Sequence, residues 1–123
     1  MEQDDPITAI KLRLQFADDA VFGPGKAELL EHIRDEGSIA AAGRLMGMSY
    51  KRAWSLVEEM NRSFTQPLVL SARGGASGGK AQVTPAGQEV LNAFRALEAI
   101  LQQDGAAALT RIRALLPKHP TGD

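Results

Sequence analysis

A chain of 123 residues, 44% hydrophobic and 24% charged, has the composition of one folded domain and is too short for two independent ones. No apolar run approaches the ~20 residues that span a bilayer, the acidic opening MEQDDP is unlike the basic start of a secretory leader, and cysteine is absent. The cytoplasm is the expected compartment, and disulfides and thiolate metal sites are excluded. The net charge of -1 is unevenly spread: residues 1–36 carry -5 and residues 37–80 carry +4, a concentration of positive charge that points to an anionic partner.

In IKLRLQF, residues 10–16, apolar side chains alternate through Ile10, Leu12, Leu14 and Phe16, which predicts a half-buried strand. After FGPG, residues 25–36 place Leu29, Leu30 and Ile33 at helical spacing and stop at Gly37, a suitable left-handed cap. Ser38 is an N-cap for a short helix over residues 38–47, with Ile39, Ala42, Leu45 and Met46 on one side. Ser49 caps a third helix over residues 49–64, whose Ala53, Leu56, Val57, Met60 and Phe64 fall within about 100° of one another, as a core-facing stripe does. Lys51, Arg52, Ser55, Glu58, Glu59 and Arg62 lie on its other side.

Two helices joined by a short turn containing Gly47, the second with a polar outer face, make a helix-turn-helix. The small residues Ala40, Ala41, Ala42 and Gly43 let the pair approach closely. PLVLSAR and KAQVT on either side of GGASGG predict a hairpin over residues 68–84. Thr84 and Pro85 then start a long helix over residues 85–103, with Val90, Leu91, Phe94, Leu97 and Leu101 on one face. After Asp104 and Gly105, AAALTRIRALL predicts a short helix over residues 106–116. The fold class is mainly α with a small β-hairpin: a winged helix-turn-helix followed by a long C-terminal helix.

In such a protein the second helix of the motif enters the major groove with its first residues towards the bases. Here those are Ser49, Tyr50, Lys51, Arg52 and Ser55, and Ser38 joins them from the start of the preceding helix. Arg and Lys donate to guanine O6 and N7, and hydroxyls reach phosphates or bases. In the wing, Arg73, Ser77 and Lys80 are the candidate phosphate or minor-groove contacts. The alternative for the basic face is a solvated surface paired with Glu58 and Glu59. Trp54, one turn from Tyr50 at the edge of the apolar stripe, reads as a core or anchor residue.

Gly74, Gly79 and Lys80 satisfy most of the G-x-x-x-x-G-K-[ST] nucleotide-binding pattern. Position 81 is alanine, so the magnesium-ligating hydroxyl is missing, and KAQVTP reads as strand then proline where a phosphate loop must open a helix. His32 and His119 are the only histidines, and nothing has the spacing of three or four converging metal ligands. No enzyme activity, metal or cofactor is expected.

The stretches GSIAAAGRLMGMSYKRAWSLVEEMNRSF and LVLSARGGASGGKAQVTPAGQEVL resemble the N-terminal DNA-binding domain of ModE-type molybdate-dependent transcriptional regulators, a LysR-like winged helix. SYKRAW, EEMN, the GGxxGGxAxxT wing and the T-x-x-G opening the long helix carry the resemblance, which covers about residues 12–103. It implies a homodimer joined through the first strand and the long helix, with each subunit presenting a recognition helix and a wing to half an operator. The full-length regulators continue into oxyanion-binding domains, for which 123 residues leave no room. Three alternatives therefore stand: a stand-alone regulator, one that senses something else, or one served by a separate oxyanion-binding protein. The expected function is that of a homodimeric, sequence-specific regulator of transcription on double-stranded DNA, of a molybdate-related or other small operon. The alternative is a winged-helix module that binds an acidic protein.

Overall fold

The computed structural model describes residues 5–72 and 80–117. The first element is a small antiparallel hairpin of β1 (Leu14–Gln15) and β2 (Val21–Phe22). Its turn is closed by the Phe16 N–H donating to Ala20 O at 2.8 Å and the Asp19 N–H donating to Phe16 O at 2.9 Å. The strand expected over residues 10–16 is thus shortened to two residues, although the alternation is real: Ile10, Leu12, Leu14 and Phe16 are half-buried, and Lys11, Arg13 and Gln15 are exposed. Period two records which side of an extended chain faces the core, whereas a ladder also needs a partner backbone. Among the described residues only Val21–Phe22 provides one.

Helix α1 (Pro24–Glu36) opens on Pro24, whose missing N–H costs nothing in a first turn, and ends at Gly37 with a left-handed φ of 71°. It buries Ala27, Leu29, Leu30 and Ile33. Helix α2 (Ile39–Leu45) and helix α3 (Tyr50–Ser63) follow. Strands β3 (Val69–Ala72) and β4 (Lys80–Val83) pair antiparallel, from Val69↔Val83 at the root to Ala72↔Lys80 at the far end. Helix α4 (Pro85–Asp104) and the short α5 (Ala106–Arg113) complete the described chain. The last turns after α5 tighten to i→i−3 bonds, Leu115 N–H to Ile112 O and Leu116 N–H to Arg113 O, so that helix is shorter than the expected 106–116.

The core is built around Phe22. Its ring stands edge-on to Phe94 of α4 and to Phe64, with centroids 5.2 and 6.3 Å apart, and Phe16 makes the same arrangement with Phe64 at 5.5 Å. Each such pair contributes about 0.5–1.5 kcal/mol beyond its burial. The N-terminal hairpin is thereby stitched to α4 and to the end of α3. Ala53, Val57 and Met60 of α3 are buried against Leu29, Leu30 and Ile33, while Leu56 and Phe64 of the expected stripe are partly covered.

A second tie joins α1 to α4. Arg95 donates through Nε and Nη2 to both Glu31 carboxylate oxygens, at 3.0 and 2.9 Å, and through Nη1 to Glu98 at 2.8 Å. The Glu31 hydrogen bonds in particular hold the guanidinium well above its ordinary pKa.

Leu45, on one side of α2 with Ile39 and Ala42, is nevertheless 58% exposed, because it is the last residue of the helix and Met46 and Met48 close the core there instead. On α4, Leu91 and Phe94 are buried, but Leu97, Ile100 and Leu101 are 41%, 52% and 40% exposed. The first half of this 20-residue helix lies on the core, and the second half extends beyond it.

Candidate nucleic-acid interface

The turn between α2 and α3 is built from local hydrogen bonds. Gly47, with φ of 70°, donates to Arg44 O, and the Met48 N–H returns to Gly43 O, both at 3.0 Å. A β-carbon on Gly43 would lie 3.0 Å from that of Ala53, so the helices approach at the one residue of α2 that has no side chain. Ser38 Oγ accepts from the Ala41 N–H, and Ser49 Oγ from the Arg52 N–H, each at 3.0 Å. A capping hydroxyl used this way keeps its own hydrogen for an outside acceptor such as a phosphate oxygen.

Ser49, Tyr50, Lys51, Arg52 and Ser55 are all exposed on the first turns of α3. No ion pair engages Lys51 or Arg52 among the described residues. The carboxylates offered as their partners are used elsewhere or stand alone: Glu59 meets Lys26 of α1 at 3.3 Å, and Glu58 is exposed. Arg62 lines a shallow cleft with Asp18, Asp19 and Glu59. The acids of α3 therefore belong to its far end, and its N-terminal turns present positive charge beside the positive end of the helix dipole.

Ser38 and Lys80 come together through the backbone, since the Ala81 N–H donates to Gly37 O at 2.9 Å. That bond places the exposed start of β4 beside the start of α2. Arg73 and Ser77 lie outside the described residues. At the root of the hairpin, Asn61 of α3 holds β3: its Oδ1 accepts from the Leu68 and Val69 N–H groups at 2.8 and 3.1 Å, and its Nδ2 donates to Val69 O at 3.0 Å. Thr84 holds the same root from the other side, donating to Pro67 O at 2.7 Å and accepting from the Gly87 N–H at 2.9 Å.

The structural role of Asn61 is absent from the sequence expectations. The EEMN stretch marks the residue, but the backbone groups that it binds are seven and eight positions away. His32 Nε2 lies 3.5 Å from Glu28 Oε2, one turn earlier on α1. Among the described residues no cluster of His, Cys, Asp or Glu could hold a metal, and no helix is long and apolar enough to cross a membrane.

Helices α1 to α3, the tight turn between the last two, the exposed basic start of α3 and a hairpin tied to α3 and to Gly37 at the end of α1 define a winged helix-turn-helix protein. Sequence comparisons place it further. The chain is 45% identical over 98 residues to the molybdenum-pterin-binding protein MopA of Rhodobacter capsulatus, a match covering 80% of this chain and 37% of that protein. It is 38% identical over 98 residues to the molybdenum transport protein ModE of Azotobacter vinelandii, covering 80% and 35%. It is 36% identical over 94 residues to the DNA-binding transcriptional dual regulator ModE of Escherichia coli (strain K12), covering 76% and 36%. No family model matches the chain. The protein is thus a relative of the ModE and Mop proteins across most of its own length, and it spans little more than a third of theirs. None of these names denotes an enzyme.

Proposed function

We propose that the chain binds double-stranded DNA and regulates transcription, with α3 in the major groove and the β3–β4 hairpin on the adjacent backbone. One observation carries this reading. The exposed first turns of α3 bear Lys51 and Arg52 with no carboxylate partner among the described residues, on the helix that a helix-turn-helix presents to DNA. The name of the Escherichia coli relative, a DNA-binding transcriptional dual regulator, supports it.

The working form is a homodimer. The exposed Leu97, Ile100 and Leu101 of α4 and Ile112, Leu115 and Leu116 beyond it form the kind of apolar surface that a second copy covers. Two symmetric recognition helices then call for a near-palindromic operator, with half-site centres about 10 bp or a multiple apart. Molybdenum in the names of MopA and of the Azotobacter relative supports a link between the regulated genes and molybdenum, with the oxyanion sensed by this chain or by a separate binding protein.

Titration of labelled random duplex at low salt tests the core of the reading. Binding that weakens steeply with salt is expected, because each neutralised phosphate releases counterions; near-zero affinity overturns it in favour of a protein partner. Selection of bound duplexes with and without molybdate or tungstate then gives the operator and shows whether the oxyanion acts on this chain.

A further inference from the structure

The chain has one tyrosine and one tryptophan, and they touch. The Trp54 Nε1–H donates to the Tyr50 hydroxyl oxygen, and the two rings stand edge-to-face with centroids 6.4 Å apart. Helix geometry favours this pairing: residues i and i+4 share a face, and helical side chains lean towards the N-terminus, which carries the Trp54 ring over Tyr50. Trp54 is half-buried and packs against the core, whereas Tyr50 is 52% exposed. One end of the pair is therefore fixed in the protein and the other faces solvent on the first turn of α3.

The polarity of the bond follows from chemistry. An indole nitrogen donates and cannot accept, while a phenol oxygen does both. The Tyr50 oxygen must be the acceptor, and its own hydrogen, with no protein acceptor among the described residues, faces solvent. On the reading that this face meets DNA, we propose that Trp54 is a positioning residue that makes Tyr50 an outward-pointing hydrogen-bond donor for an acceptor on the nucleic acid, a phosphate oxygen or a base acceptor. The same indole restricts the phenol to one orientation before binding, which lowers the ordering cost of the contact.

Because each residue type occurs once, ultraviolet resonance Raman spectra of the unmodified protein report on this pair alone. The expected spectrum of the protein without DNA has a hydrogen-bonded indole N–H and a tyrosine that accepts from it while donating to water, and duplex at low salt replaces that water with a stronger acceptor and shifts the tyrosine bands. An unbonded indole N–H in the folded protein overturns the proposal. Tyr50→Phe is expected to weaken duplex binding on the order of tenfold, and Trp54→Phe, which keeps a ring but deletes the donor, to weaken it as well. The double variant is expected to bind no worse than Tyr50→Phe; losses that multiply, or a Tyr50→Phe variant of unchanged affinity, overturn the proposal. Equal loss on all sequences assigns the acceptor to phosphate, and loss confined to selected sequences assigns it to a base. If the unmodified protein binds no duplex, the regulator reading fails, while the spectrum without DNA still decides the pair.

Discussion

Asn61 and Val69 bond to each other in both directions: the side-chain amide of Asn61 donates to Val69 O at 3.0 Å, and its carbonyl oxygen accepts from the Val69 N–H at 3.1 Å. The same oxygen takes the Leu68 N–H at 2.8 Å, and both residues are buried, at 0% and 2% exposure. Asn61→Ala strands two backbone donors and one acceptor away from water, each worth roughly 1–3 kcal/mol. A lower urea midpoint with an unchanged m-value is the expected result. Asn61→Asp keeps the acceptor but sets a carboxylate oxygen against Val69 O in place of the donor, so its midpoint should also fall.

Gly87 has an equally specific reason. It sits in the first turn of α4, where Thr84 caps the helix, and a β-carbon there would run into the Leu68 carbonyl oxygen and lie 2.8 Å from Val83 Cγ1. Alanine gains about 1 kcal/mol of helix propensity over glycine. Overpacking against a backbone carbonyl costs about 1–3 kcal/mol and should prevail, so Gly87→Ala is expected to melt at a lower temperature. A higher melting temperature would show that the hairpin root gives way.

Helices α1 and α3 were legible because their apolar spacing and end residues agree: Leu29, Leu30 and Ile33, or Ala53, Val57 and Met60, recur on one side between recognisable caps. The N-terminal hairpin was half legible. The alternation of residues 10–16 gave the buried side, but the partner Val21–Phe22 is two residues long and directly precedes glycine and proline. Leu97 and Leu101 continue the α4 stripe perfectly well, and periodicity cannot tell a face that meets the chain's own core from one left uncovered. In the candidate interface, the residue types on α3 could be listed from sequence, whereas the fate of Glu59 could not, since its partner Lys26 lies on another helix.

The N-terminal segment meets α5 through Asp5, whose Oδ1 accepts from Arg113 Nε at 2.8 Å and from the Ile7 N–H at 2.9 Å. The Arg113 hydrogen bond, then that of Ile7, holds the Asp5 carboxyl below its ordinary range. A carboxylate depressed in the folded state contributes above its unfolded pKa of about 3.9 and loses that contribution as pH falls through the lower value. The segment should stay on α5 at neutral pH and release only in stronger acid. Carboxyl NMR titration checks this, and Arg113→Ala should return Asp5 towards its ordinary range.

Ile100, 52% exposed on the uncovered half of α4, separates the dimer reading from a merely apolar surface. In an isolated protomer Ile100→Glu replaces a solvent-facing side chain and should leave the helix signal unchanged. At a dimer interface it buries an unpaired charge in each copy. The expected outcome is a monomer by sedimentation that keeps its circular dichroism and loses duplex affinity together with its partner.

Arg52 gives the sharpest test of base reading. It is exposed on the first turn of α3, and its backbone N–H is already held by Ser49 Oγ at 3.0 Å, so the guanidinium leaves a fixed point with no competing carboxylate among the described residues. A bidentate contact to guanine O6 and N7 is worth about 1–3 kcal/mol of discrimination. Arg52→Ala is therefore expected to lose roughly 5- to 150-fold in affinity on the selected operator, with little change on random duplex. An equal loss on both, with a shallower salt dependence, would place Arg52 on a phosphate instead. Glu59→Gln is the matched control, because its carboxylate answers Lys26 rather than Arg52; if it raised DNA affinity as much as Arg52→Ala lowered it, general charge rather than a positioned guanidinium would govern binding.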